Sequence, residues 1–227
     1  MDIHKPKPFH SLREFLGEIV VVVLGILIAI ALEQLVEHFR WQQAVDAGRQ
    51  SLHREMAFDG AYFRDRLTIA PCVDRRLDHV SALIEQAAKT GRVDRVDINV
   101  LGPGRLTLRS EWEAERASQT LTHFPREELS KLGVWYDQLE NIRDWTSEEQ
   151  VAWAKLAVLR NGPMGLSPMD IALLRQEVGL ARNLEQLTAL NARRELDRAR
   201  EFGVQPGPAR QDYLRAYCEA GAPEPFR

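Results

Sequence analysis

The sequence predicts an all-α protein in which an N-terminal transmembrane helix continues into a stalk and joins an up-and-down helical bundle. Three observations predict this fold class. Residues 19–32 contain no polar side chain, and most of the chain beyond them repeats apolar residues at helical steps of three and four. Clusters of Gly and Pro divide these repeats into segments, as expected for helices joined by short connections.

Composition limits the classes of protein to consider. The chain has 227 residues, of which 44% are apolar and 28% are charged. These values fit one or two globular domains and argue against a disordered, collagen-like or disulfide-dense chain. The net charge of −3 argues against a nucleic-acid partner. The mean hydropathy of −0.32 averages an apolar segment near the N-terminus and a polar remainder.

The apolar segment is long enough to cross a membrane once its flanks are included. Residues 19–32 alone would reach about 21 Å, short of a hydrocarbon layer of roughly 30 Å. Extending the helix to residues 15–36 gives about 33 Å and places Glu18 and Glu33 near the two interfaces. The sequence therefore predicts one transmembrane helix at residues 15–36, preceded by a tail at residues 1–14.

Two other interpretations of this segment stay open. A buried helix of a soluble core would need apolar neighbours on every side, which the rest of the chain does not supply. A cleaved signal peptide would use Ala29-Ile30-Ala31 as its cleavage motif, although the apolar run continues through it. Lys5, Lys7 and Arg13 precede the segment and predict a cytoplasmic N-terminus. The rest of the chain would then be periplasmic, anchored to the cytoplasmic (inner) membrane. Arg40, Arg49 and Arg54 follow the segment, so the inverted orientation is the alternative.

One side of the predicted membrane helix carries small residues and a carboxyl group. Glu18, Val21, Gly25 and Ala29 fall at helical steps of three and four. Small residues let two helices approach closely, so this stripe predicts self-association or docking to another membrane protein. The competing interpretation is that Gly25 and Ala29 face lipid while Glu18 lies among the headgroups.

The helical pattern continues beyond the membrane segment as far as Pro71. We expect one helix from about residue 11 to residue 68, whose later part forms the stalk. A second helix is expected from Cys72 to about Lys89, where Thr90-Gly91 ends it. The apolar seams of these two helices comprise Val45, Leu52, Met56, Phe63, Leu67, Val73, Leu77, Val80, Ile84 and Ala87.

Residues 92–109 interrupt the helical pattern. Apolar residues alternate with polar ones before and after Gly102-Pro103-Gly104. This alternation predicts a short β-hairpin excursion or an ordered connection, because two strands alone are marginally stable. The alternating residues are Val93, Val96, Ile98, Val100, Leu106 and Leu108.

Two further helices are predicted before residue 162. Ser110, with Glu113 at capping-box spacing, starts a short one. Pro125 occupies the favoured first-turn position of the next, which extends to about Arg160. Thr146 starts a fresh helix within this stretch or lies inside a continuing one.

The last long helix has the strongest start signal in the chain. Ser167-Pro168-x-Asp170 combines a cap, a first-turn Pro and an early acid, and the helix should end near Gly203. The bundle with its stalk is therefore predicted at residues 37–204. Residues 205–227 are predicted to form a linker, a short helix and a C-terminal tail.

Cys72 and Cys218 are the only cysteines. An even cysteine count in an extracytoplasmic domain predicts a disulfide, which would join the last short helix to the turn after the stalk. Two unrelated buried thiols are the alternative, and a cytoplasmic domain would favour it.

An aromatic-rich set of residues raises the question of a ligand pocket. Four of the five tryptophans lie beyond residue 110, far from the membrane segment, and a pocket between helices could combine them with a tyrosine and an arginine. Packing in the bundle core is the competing interpretation, since aromatic residues at helical spacing usually pack. The candidate pocket residues are Trp112, Trp135, Tyr136, Arg143, Trp145 and Trp153.

The sequence contains no recognisable catalytic or metal-binding motif. The six histidines show none of the spacings of metal sites, and no nucleophile motif is present. Gly102-Pro103-Gly104 lacks the Lys and Ser or Thr of a phosphate-binding loop. We therefore expect no catalytic residue, cofactor or metal ion.

Several stretches resemble a group of uncharacterised bacterial single-pass membrane proteins. They are Lys5-Pro-Lys-Pro, the segment from Phe15 to Gln34, Trp112-Glu-Ala-Glu-Arg-Ala-Ser and Ala181-Arg182-Asn183. The likeness covers most of the chain, and its N-terminal part is the more specific. It implies membrane location and a helical architecture, and it transfers no catalytic residue.

The sequence predicts a membrane anchor, a stalk and a helical bundle, and it contains no recognisable catalytic or metal-binding motif. It therefore predicts a membrane-anchored structural or interaction protein. Such a protein would act as an oligomer or as an accessory subunit of another membrane protein. The alternative is a sensor-like extracytoplasmic module that binds a small molecule and signals through a partner, because the tail before Phe15 is too short for an output domain. An enzyme without a recognisable motif is a third, weaker hypothesis.

Overall fold

A computed structural model describes residues 12–94 and 102–219. These residues confirm the all-α class with a long N-terminal helix. The α-helices are α1 (Leu12–Thr90), α2 (Ser110–Ala117), α3 (Arg126–Leu156), α4 (Pro168–Glu201) and α5 (Gln211–Cys218). Short 3₁₀ turns lie at Thr120–His123 and Ala157–Asn161. Two-residue strands, β1 (Arg92–Val93) and β2 (Met164–Gly165), pair antiparallel.

The chain divides into two compact units, Met1–Ala47 and Gly48–Arg227. The described part of the first unit is a single helical stretch, the beginning of α1. From Phe15 to Arg40 every side chain of this stretch is exposed, although most are aliphatic. The predicted tail at residues 1–14 lies largely outside the described residues, including Lys5 and Lys7.

The second unit is an up-and-down arrangement of helices around a buried apolar core. Residues 102–124 run back along α1, since Leu108 bonds to Asp59 and Glu111 bonds to Glu55. Next, α3 runs parallel to α1, and α4 returns antiparallel to both. The core forms where the inner faces of these helices meet, and it includes Val73, Leu77, Val80, Ile84, Trp153, Leu156, Ile171, Leu174, Val178 and Ala181.

The predicted helix break at Pro71 is wrong, because α1 continues through it to Thr90. A proline inside a helix removes one backbone hydrogen bond and adds a steric clash. Here its ring lies on the exposed side of α1, while Ile69 and Val73 on either side of it are fully buried. Packing of this buried face keeps the helix continuous.

The strand pairing also differs from the predicted hairpin. Arg92–Val93 pairs with Met164–Gly165, residues that precede α4, so the partner strand is distant in sequence. Residues 102–109 form no strand, and Leu106 is 76% exposed. The alternating residues Val96, Ile98 and Val100 lie outside the described residues.

The observed ends of the helices can be compared with the capping residues predicted from the sequence. The capping box of Ser167 and Asp170 is present at the start of α4, and Gly203 has the positive φ of +72° expected after a helix. The expected capping box at Ser110 is wrong. Arg109 is the N-cap there, and the Ser110 hydroxyl donates to Glu55. Thr146 lies inside a continuous α3.

Candidate functional site

The beginning of α1 has the properties of a membrane span. An 18-residue window near the N-terminus has a mean hydropathy of 2.9, and none of it is buried. A helix this apolar is usually enclosed by protein or by lipid. Among residues 12–94 and 102–219, one helix is therefore long and apolar enough to cross a membrane.

The predicted association stripe lies on this exposed helix. Glu18, Val21, Gly25 and Ala29 are all exposed. A side chain built at Gly25 or at Gly17 would meet no atom within 4 Å. The described chain therefore leaves room for a second helix to approach here.

The two cysteines lie at disulfide distance. The Sγ atoms of Cys72 and Cys218 are 1.97 Å apart and their Cα atoms 5.1 Å apart, across 146 residues of sequence. Their neighbours reinforce the joint between α1 and α5. Arg76 donates to the Tyr217 carbonyl oxygen at 2.8 Å, and its guanidinium lies 5.3 Å from the centre of the Tyr217 ring. Tyr217 is buried and donates through its hydroxyl to the Gly102 carbonyl oxygen at 3.0 Å.

The aromatic candidates occupy several places. Trp112 stacks on Tyr136 with ring centres 4.6 Å apart. Trp135 is fully buried and packs edge-on against Phe63 at 5.9 Å, while Trp153 belongs to the apolar core. The remaining two candidates are less enclosed, since Trp145 is half-buried and Arg143 is exposed.

Arg143 instead lines an open groove of about 970 Å³ between α3 and the segment that begins at Gly102. Arg105, Arg160, Ser147 and Gln150 also line it, with Ala154 and Ala157 supplying apolar surface. The tryptophans are not among its lining residues.

Three buried acids of α1 hold the connecting segments, and none of the three was predicted from the sequence. Glu55 accepts from the backbone N–H of Glu111 at 2.9 Å, and Asp59 accepts from that of Leu108 at 2.9 Å. Asp65 accepts from the backbone N–H of Arg210 at 2.8 Å. For Glu55 and Asp59 the available signal was that they share a helix face with Leu52, Met56 and Phe63.

Two of these acids, Asp59 and Asp65, have raised pKa values. Burial raises the pKa of Asp59 to about 8, and the nearby charge of Glu55 adds to the effect, while the Leu108 hydrogen bond and Arg105 oppose it. Burial likewise raises the pKa of Asp65. Near neutral pH, Asp59 therefore holds a proton, which reduces the charge buried in the interior.

A second set of buried charges joins three helices. Arg66 of α1, Glu149 of α3 and Glu185 of α4 are all fully buried or nearly so. Arg66 contacts both carboxylates, through Nη1 and Nη2 to Glu149 at 3.1 and 3.2 Å and through Nη2 to Glu185. Beside them, the Tyr62 hydroxyl lies 3.3 Å from that of Thr146. Buried polar groups of this kind are retained when partners satisfy them.

Across residues 12–94 and 102–219, no group of three or more His, Cys, Asp or Glu side chains is arranged to hold a metal ion. No protein-family model matches this chain, and neither curated proteins nor solved structures give a significant match.

Proposed function

We propose that this chain is a membrane-anchored structural or interaction protein, in which residues 15–36 cross the cytoplasmic membrane and the helical bundle holds a partner outside the cytoplasm. It would act as an oligomer or as an accessory subunit of another membrane protein. The observation that carries the proposal is that the aliphatic side chains of residues 15–36, at the beginning of α1, are all exposed. A helix that is apolar on every side is suited to being surrounded by lipid.

Two features support placing the bundle outside the cytoplasm. Disulfides persist in oxidising compartments, and Cys72 and Cys218 lie at bonding distance. The basic residues Lys5, Lys7 and Arg13 precede the span, which favours a cytoplasmic N-terminus.

Membrane extraction tests the anchor. The full chain should stay with membranes after alkaline washing and be released by detergent. Ile26→Arg puts a charge at the centre of the span at a cost of about 2.5–3.5 kcal/mol, so a larger fraction should be released. The matched control is Gln43→Arg, outside the predicted span, which should stay with membranes. Release of the wild-type chain by alkaline washing would reject the anchor.

Helix association tests the interaction role. In a membrane two-hybrid assay, Gly25→Leu should reduce association several-fold, because a bulky side chain separates helices that meet at small residues. Ala31→Leu is the control, since helical geometry places residue 31 about 120° around the helix from Gly25. Equal association of wild type and Gly25→Leu would reject the stripe of Glu18, Val21, Gly25 and Ala29.

The groove beside Arg143 favours ligand binding as a second candidate function. Its size suits a small molecule, and its lining has three arginines and one acid, Asp144, which favours an anionic ligand. Screening the purified chain for ligand-dependent thermal shifts should then reveal saturable stabilisation by one class of anionic metabolite. Arg143→Ala should abolish the shift, whereas Arg126→Ala, away from the groove, should preserve it.

A further inference from the structure

The interior of the second unit holds an unequal number of positive and negative groups. The guanidinium of Arg66 is fully buried and lies against two carboxyl groups, Glu149 from α3 and Glu185 from α4. One positive group therefore faces two acidic groups where α1, α3 and α4 meet. Ionising both acids would leave one negative charge without compensation in a medium of low polarity, which is unfavourable.

The two carboxyl groups also share one donor atom, since Arg66 Nη2 donates to an oxygen of each. The other oxygens, Glu149 Oε2 and Glu185 Oε1, are buried and accept no hydrogen bond from any described residue. Ionised carboxylates carry no donor, so the two acids can hydrogen-bond to each other only when one of them is protonated. A proton on Glu185 would supply the missing donor.

We propose that Glu149 and Glu185 form a proton-binding site that holds one proton at neutral pH, and that release of this proton loosens α4 from α1 and α3. The ligand is the proton itself, carried on Glu185 and donated to Glu149. This inference depends only on the interior of the bundle and is independent of the proposed membrane location.

The electrostatics of Glu185 agree with this assignment. Burial is the main cause that raises its pKa to about 7, while Arg66 opposes the shift and Glu149 and Asp74 add to it. Asp74 of α1 lies beside the pair. Its Oδ1 atom is 3.8 Å from Nη1 of Arg182.

Two buried phenols, Tyr62 and Tyr217, also lie beside the pair. Burial raises the pKa of Tyr62 on α1, and it raises the pKa of Tyr217 on α5 to about 12. Both tyrosines therefore stay protonated across the neutral range and leave the charge of the cluster unchanged. The proton on Glu185 is the one that changes there.

The direction of the pH effect follows from linkage. An unfolded glutamate has a pKa of about 4.3, so between about pH 4.5 and 7 the folded chain binds more protons at this site than the unfolded chain. The unfolding equilibrium constant should therefore rise with pH, by up to about tenfold per pH unit from this one group. Its contribution levels off above about pH 7.

The test is the variant Glu185→Gln in the full chain, kept in detergent and unfolded with denaturant at about pH 5.5 and about pH 8. Glutamine copies the protonated acid, since its amide donates to Glu149 without carrying charge. The ratio of the wild-type to the variant unfolding constant should rise about tenfold or more between the two pH values. The control Glu201→Gln, exposed at the end of α4, should keep a constant ratio.

A ratio that does not change with pH for Glu185→Gln would overturn the proposal. A variant that fails to fold at about pH 5.5 would overturn it too, because glutamine should be tolerated where the acid is protonated. Infrared spectroscopy gives an independent measurement. At about pH 6 the wild-type chain should show more absorption from protonated carboxyl groups than Glu185→Gln, and equal spectra would contradict the assignment.

Discussion

Asp59, a fully buried acid of α1, shows how a single residue links the fold to protonation. Its Oδ1 accepts from the backbone of Leu108, so it fixes the segment that leads to α2. Its raised pKa means that the folded chain binds this proton and the unfolded chain releases it at neutral pH. Stability from this residue is therefore lost as pH rises towards about 8.

Replacing this acid should make the bundle less sensitive to pH. Asp59→Asn keeps the acceptor for Leu108 and removes the titration, so above about pH 8 it should be more stable than the wild type. The advantage should shrink as pH falls to about 6. Denaturant midpoints across this range give the measurement. Asp137→Asn on the exposed face of α3 is the control, and a pH-independent loss of stability in Asp59→Asn would contradict the prediction.

Gly104 is required by close packing. A Cβ atom built there would lie 2.4 Å from both the Thr146 Cγ2 and the Gln150 Nε2 atoms. Gly104→Ala should lower the free energy of unfolding by about 1–3 kcal/mol, because α3 and this segment must separate to accept the methyl group.

A second glycine provides the matched control. Gly133 lies inside α3 with no atom within 4 Å of the added Cβ, so Gly133→Ala should raise the free energy of unfolding by about 0.5–1 kcal/mol. Opposite signs for the two variants in denaturant unfolding are the expected result. A neutral Gly104→Ala would show that the segment is not tightly packed.

At the scale of elements, α4 has the best-defined start. Ser167 accepts from the backbone of Asp170, and Asp170 accepts from the backbone and the hydroxyl of Ser167. This reciprocal pair satisfies backbone donors that a helix start leaves free. Exposed salt bridges such as Arg175–Glu85 then add only modestly to its packing on α1.

Removing the cap should weaken α4 measurably. Ser167→Ala should lower the free energy of unfolding by about 1 kcal/mol, measured by denaturant unfolding. Ser147→Ala, at an exposed position inside α3, should be neutral or raise it slightly, since alanine is the better helix former there. Equal effects of the two changes would exclude a capping role for Ser167.

At the scale of the whole molecule, the Cys72–Cys218 joint closes a long loop. The 146-residue separation means that a bond here would strongly restrict the unfolded chain. Replacing both cysteines with alanine should lower the free energy of unfolding by about 4–5 kcal/mol in the chain-entropy model. A reducing agent should have a similar effect on the wild type and none on the double variant. Two freely labelled thiols in the native chain would refute the bond.

The local signals in the sequence were sufficient for some elements and insufficient for others. The aliphatic run of α1 and the Ser167-Pro168-x-Asp170 start of α4 depend on neighbouring residues alone, and both predictions agree with the structure. Pro71 is also a local signal, yet α1 passes through it. Burial of Ile69 and Val73 on the opposite side outweighs the lost hydrogen bond.

The amino-acid sequence by itself determined the fold class, the apolar helix that could span a membrane and the cysteine pair available for bonding. Only the tertiary structure decided that β1 pairs with β2, and that Arg66 meets Glu149 and Glu185. The physical reason is distance along the chain. Helical periodicity and caps arise from residues a few positions apart, whereas these contacts join residues more than 70 positions apart and form only when the helices pack.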